Sequence, residues 1–101
     1  MAVNIQNKLE DTDFFKENGN LVEFFDNCCK EHQDKIAFES FGVEMSYNDL
    51  SVQVNSFASW LSSNFQIGDR IAVMMPNMLA YPVIVYGALK AGIVVVNINP
   101  L

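Results

Sequence analysis

Positive charge is scarce in this sequence: its 101 residues carry six Lys and Arg against twelve Asp and Glu, a formal net charge of -6. Nucleic-acid binding depends on cations meeting phosphates, and no basic stripe runs through the chain, so that class of partner is excluded. Cysteine is limited to the adjacent pair Cys28 and Cys29. Neighbours in a helix point different ways, so an ordinary structural disulfide between them is not expected, and they read as buried thiols of a cytoplasmic protein. Histidine occurs once, at His32, four residues after Cys28. Such a pair offers two metal ligands where a structural zinc site needs four, so His32 reads instead as capping the end of a helix. Residues 1–10 lack an apolar core behind a basic start, which is not the pattern of a secretory signal.

Charge of either sign is almost missing from the second half. Residues 51–101 hold one acid, Asp69, and two bases, Arg70 and Lys90, whereas residues 1–50 hold eleven acids and four bases. A free-standing domain of this size is mostly surface, so a half with so little charge would expose a large apolar area. The expectation is a fragment whose charge-poor half is covered by protein outside these residues. Nucleotide and nucleophile motifs are missing as well: there is no G-x-G-x-x-G and no G-x-S-x-G. Gly87 and Gly92 have the spacing that opens a phosphate-binding loop, but Ile93 and Val94 follow where that loop needs Lys and then Ser or Thr. The two glycines read as a close-packing site and a helix stop.

What remains is a clear succession of elements. Residues 1–19 show no sustained period around Phe14 and Phe15 and read as a poorly ordered leader whose two aromatics dock somewhere not specified by the sequence. Asn20 precedes Leu21, Phe24, Phe25, Cys28 and His32, an apolar face at helical spacing, with Asn20 and Glu23 placed as a capping pair, so a helix is predicted to about Gln33. Residues 36–41 and 43–47, divided by Gly42, predict a hairpin. Across it Glu39 and Glu44 stand as paired carboxylates, read as solvated strand positions rather than an acid-base couple. Ser46 and Asp49 open a second helix predicted over residues 48–64, with Leu50, Val54, Phe57, Ala58 and Leu61 on one face and Trp60 off it, against a different neighbour. Residues 71–75 and 93–96 are short apolar runs, predicted as strands buried on both faces. Between them an apolar helix starts near Tyr81 or kinks at Pro82, and ends at Lys90-Ala91-Gly92. The whole is a parallel βαβ unit. The apolar stretch 78–96 is long enough to suggest a membrane span, but Pro82, Gly87, Lys90 and Gly92 interrupt it. Met74, Met75 and Met78 read as core filling, with the lining of an acyl channel as the alternative.

The segments GDRIAVMMPN (68–77) and ALKAGIVVVNINPL (88–101), together with MSYNDLSVQVNSFASWL (45–61), resemble the early N-terminal domain of the adenylate-forming acyl-CoA synthetases. With Tyr81-Pro82 in the helix and Val-Val-Asn-Ile-Asn-Pro at 95–100, the likeness is greatest to bacterial long-chain fatty acid CoA ligases. It covers residues 20–101.

The resemblance implies an α/β fold in which residues 20–101 are the incomplete first part of the large N-terminal domain: a helix, a β-hairpin, a helix and a parallel βαβ unit. It implies a parent enzyme that joins a fatty acid to CoA through an acyl-adenylate, using ATP, magnesium and CoA. The family's phosphate loop, Tyr-Gly-x-Thr-Glu segment, ribose-binding aspartate and C-terminal lysine are not among these residues, so no catalytic, cofactor-binding or metal residue is carried over. The chain alone is expected to be inactive scaffold, its partner the remainder of the ligase, and its open strand edges are expected to promote self-association. A cytoplasmic location is expected, and a fatty substrate is compatible with peripheral contact of the parent with the inner membrane face. Two other readings stay open: another adenylate-forming enzyme, such as a peptide-synthetase adenylation domain or an aryl-acid ligase, and a short non-enzymatic interaction module.

Overall fold

The computed structural model describes residues 19–76 and 78–99; the predicted leader lies almost wholly outside them. The described residues form α1 (Leu21–Glu31), β1 (Ile36–Ser40), β2 (Val43–Ser46), α2 (Tyr47–Asn64), β3 (Arg70–Val73), α3 (Ala80–Ala91) and β4 (Val94–Asn97). This is the order of elements that the sequence predicts.

Each helix is bounded by local chemistry. Asn20 caps α1, its Oδ1 accepting from the Glu23 amide at 2.9 Å, and Ser46 caps α2, its Oγ accepting from the Asp49 amide at 3.1 Å. Each bond satisfies one amide that the first helical turn leaves without a partner. In α3 Pro82 is the third residue, where no intrahelical amide bond is required, so it is accommodated within the first turn instead of kinking the helix. Gly92 ends α3 at a φ of 74°, the left-handed conformation expected of it, and its amide bonds back to Ala88 and Leu89.

The strands make two separate two-stranded sheets. β1 and β2 pair antiparallel with Glu39 opposite Glu44 and an irregularity between Ile36 and Phe38. The turn is Phe41-Gly42, with φ of 51° and 80°. Positive φ at both central residues is what a two-residue type I′ turn requires, so Phe41 belongs to the turn and not, as predicted, to the strand. β3 and β4 pair parallel, Arg70 beside Val94 through Val73 beside Asn97, across the α3 crossover. β3 ends two residues before its predicted limit, the ladder stopping at Val73 beside Asn97.

Packing is organised by α2, which lies against α3, α1 and both strands of the hairpin. One buried cluster gathers Phe25, Cys29, Met45, Leu50, Val54 and Val83. A second gathers Leu61, Ala88, Ala91 and Ile93, with Ile71 and Val95 against it, and Phe57 touches both clusters. Within the parallel pair Val73 and Ile93 are buried, but Val94 and Val96 on the alternate face are 46% and 43% exposed. The prediction of burial on both faces is therefore corrected. The helices cover one face of the pair, and no described element covers the other.

Candidate functional site

Ligands of open α/β sheets lie beyond the carboxyl ends of the parallel strands. In this chain that region joins the segment after Val73, the start of α3 and the end of β4. The Tyr81 hydroxyl donates to Asn97 Oδ1 at 2.8 Å, tying the first turn of α3 to the last residue of β4. Ile98 continues the ladder by donating its amide to the Val73 carbonyl at 2.9 Å. Beside them runs an open groove of 250 Å³ between β1 and the start of α3, lined by Phe38, Glu39, Ser40, Met78, Leu79, Tyr81 and Pro82.

The lining is mainly apolar and holds one carboxylate, from Glu39, and no cation. Phosphate recognition needs fixed positive charge or converging amides, and neither base of the charge-poor half supplies it here. Arg70 opens β3 at the opposite, amino end of the strand. Lys90 is committed elsewhere: its ammonium meets Asp26 Oδ1 at 2.8 Å and Asn55 Oδ1, joining the end of α3 to α1 and α2. Among the described residues no three His, Cys, Asp or Glu side chains stand together in a way that could hold a metal. Nothing there fits magnesium, and no reaction step is assigned to these residues.

The residues singled out in the sequence take mostly architectural places. Gly87 is a close-packing site, because a Cβ built there would lie 2.6 Å from Phe57 Cδ1 on α2. His32 terminates α1 through its backbone amide, which donates to the Cys28 carbonyl at 3.0 Å, while its ring lies 6.0 Å from that of Tyr47. Glu39 and Glu44 do face each other, both exposed. Trp60, 54% exposed, stacks beside Phe57 on its own helix and meets the edge of Phe65. Met74 and Met78 are 62% and 43% exposed, so they are not core filling; they follow β3 where the sheet is open. Cys29 is buried, and that burial raises its thiol pKa above the ordinary 9.0, helped by the nearby Asp26 carboxylate and Cys28 and opposed by Lys90. Sequence reasoning missed the Lys90 bridge and the groove, since both join residues far apart in the chain.

The apolar stretch 78–96 divides into α3, the Gly92 stop and β4, and no helix among the described residues is long and apolar enough to cross a membrane. At 12 residues, α3 extends about 18 Å, well short of a bilayer core.

Comparison with known proteins adds what geometry alone does not. Residues 25–101 match the family model described as AMP-binding enzyme. Over 83 residues, 80% of this chain, the sequence is 42% identical to a long-chain-fatty-acid–CoA ligase of Yersinia pestis and 39% identical to one of Haemophilus influenzae. The chain spans 15% of the length of each of these curated relatives. A benzoate CoA ligase of Burkholderia xenovorans superposes with a TM-score of 0.74 at 30% identity, covering 81% of this chain and 17% of the ligase.

Proposed function

Because this chain belongs to the AMP-binding enzyme family, we propose that it is scaffold of an ATP-dependent long-chain fatty acid CoA ligase. Residues 20–101 would be the first part of its large N-terminal domain, and residues 1–19 a leader. The observation that carries the choice of substrate is the 39–42% identity to long-chain-fatty-acid–CoA ligases. Backbone similarity does not choose among acids, since a ligase named for benzoate superposes well on the same elements. Another adenylate-forming class therefore stands as the second reading.

In the proposed parent, a fatty acid carboxylate and ATP form an acyl-adenylate with release of pyrophosphate, and the acyl group then passes to the CoA thiol with release of AMP. ATP, magnesium and CoA serve that parent. The described residues contribute none of the groups that handle phosphate. Their part is to hold the parallel pair and its crossover helix in place, supporting the groups that do.

The test begins with the natural coding frame beyond Leu101 and the protein it encodes. That protein is expected to exchange pyrophosphate into ATP with long-chain fatty acids and not with benzoate or amino acids. Exchange with an aryl or amino acid instead would move the protein to the second reading. The 101-residue chain alone is expected to give no exchange, and measurable exchange would overturn its role as scaffold.

The half-covered parallel pair supports a second part of the proposal, that the isolated chain associates with its own copies through open strand edges and the uncovered face. The proposed location is cytoplasmic, with the parent meeting the inner membrane face peripherally. Failure of the parent to sediment with lipid vesicles would remove the membrane contact.

A further inference from the structure

The tip of the hairpin carries two features that disfavour the folded chain taken alone. Phe41 is 97% exposed, whereas the next most exposed aromatic ring among the described residues, that of Trp60, is at 54%. Its φ of 51° suits glycine, asparagine or aspartate better than a side chain of this size. Behind it Glu39 and Glu44 stand opposite each other, and like charges so placed weaken a ladder. Neither forms an ion pair among the described residues. Local violations of this kind gather at functional sites.

The hairpin that carries this knob also helps to line a hole. Between α1, β1, α2 and α3 lies a partly open pocket of 140 Å³, walled by Leu21, Phe25 and Cys28 of α1, Phe38 of β1, Leu50 of α2 and Tyr86 of α3. Phe25 and Tyr86 stack there with ring centroids 4.2 Å apart. An apolar cavity of roughly 150 Å³ accepts a benzene molecule, so the space suits one phenyl ring. A ring set against an aromatic wall gains offset or edge contacts beyond simple burial. Phe41, almost wholly exposed, does not fill the pocket of its own chain.

Charge matches the knob to the hole. Tyr47, also on the wall, donates its amide to the Lys35 carbonyl at 2.9 Å, which sets the turn after α1 at the edge of the pocket. Lys35 and Lys30 are exposed and form no ion pair among the described residues. Of the two acids on that turn, Glu31 lies 3.9 Å from His32 and Asp34 is exposed. Phe38 and Phe41 are three residues apart, at most about 11 Å of chain, so knob and hole adjoin. Two copies about a two-fold axis can then exchange rings reciprocally.

We propose that two copies of this chain exchange hairpin tips, each seating its Phe41 ring in the pocket of the other, with Glu39 and Glu44 against the Lys35 turn of the second copy. This contact is separate from the strand edges and the uncovered face of the parallel pair, and it does not depend on the ligase reading. The two rings bury about 300–500 Å² themselves. That is small beside the roughly 1,200 Å² of a stable interface, so the dimer is weak, with a dissociation constant on the order of 0.1 mM.

Cys28 reports on the pocket wall. The 101-residue chain is alkylated with excess N-ethylmaleimide at about 10 µM and about 1 mM protein, and modification of Cys28 is resolved from that of the buried Cys29 by peptide fragmentation. With that dissociation constant about a fifth of the chains are monomeric at the higher concentration and more than about four fifths at the lower, so the rate constant at Cys28 is expected to fall roughly fourfold. Phe41→Asn, with folding checked by circular dichroism, is expected to react at the dilute rate at both concentrations. Val94→Thr with Val96→Thr leaves knob and pocket intact and is expected to keep the protection. A rate independent of concentration in the unaltered chain overturns the proposal. Slowing that persists in Phe41→Asn overturns it too, because another contact would then cover the pocket. Slowing lost in the threonine variant does the same, because it would belong to the parallel pair.

Discussion

Phe41 is 97% exposed and held at a φ of 51°, so its ring contributes almost no burial while its backbone occupies a region that side chains with a Cβ disfavour. Asn tolerates that conformation and is favoured at this position of a type I′ turn. Phe41→Asn is therefore expected to stabilise the chain by about 1 kcal/mol, seen as a raised urea midpoint with an unchanged slope. Cys29 supplies a pH prediction. Burial raises its folded pKa above the ordinary 9.0, so above that pH the unfolded chain loses the thiol proton while the folded chain keeps it. The folded state then binds more protons, and its contribution to stability, intact below pH 9.0, declines as pH rises through the interval up to the folded pKa. Denaturant melts between pH 8 and 10.5 are expected to show this decline, and Cys29→Ala to flatten it.

Among the elements, the bridge from Lys90 to Asp26 and Asn55 pins the end of α3 to both other helices. Its side chains are 18% and 36% exposed for Lys90 and Asp26, between a surface pair and a buried one. Lys90→Ala is expected to cost about 1–2 kcal/mol, more than an exposed pair and less than a buried one. A double-mutant cycle with Asp26→Asn should recover a coupling energy of the same sign; zero coupling would reduce the bridge to an incidental contact. This bridge also shows how far the sequence could be read. Asn20, Ser46 and Gly92 were legible because a cap depends on residues within one turn of it. Pro82 was legible as an element boundary for the same reason. Asp26 and Lys90 are 64 positions apart, and no local pattern joins them. The groove was hidden likewise, because Phe38 to Ser40 meet Met78 to Pro82 only after the chain folds. The two apolar runs were read correctly as parallel strands and wrongly as covered on both faces: a sequence suited to double burial does not say whether its second cover lies within the same 101 residues.

For the molecule as a whole, that uncovered face is the main exposed apolar feature of the parallel pair, with Val94, Val96 and, beyond the strand, Ile98 all above 40% exposure. The chain is expected to form concentration-dependent oligomers in light scattering. Val94→Thr with Val96→Thr should shift the equilibrium toward monomer while keeping strand propensity, since threonine is also β-branched. A single mass across a wide dilution series would count against association. The two separate sheets have a further consequence, for a chain emerging from the ribosome. The hairpin and α1 draw on neighbouring residues and can assemble early, but Arg70 pairs with Val94, a partner synthesised twenty-four residues later. At about 5–20 residues per second, β3 waits about 1–5 s with its ladder unmade. During that interval α1, the hairpin and α2 already offer all of the first buried cluster except Val83, so the amino-terminal elements form a platform onto which the later crossover is laid, and translation speed becomes a variable in how cleanly the parallel pair closes.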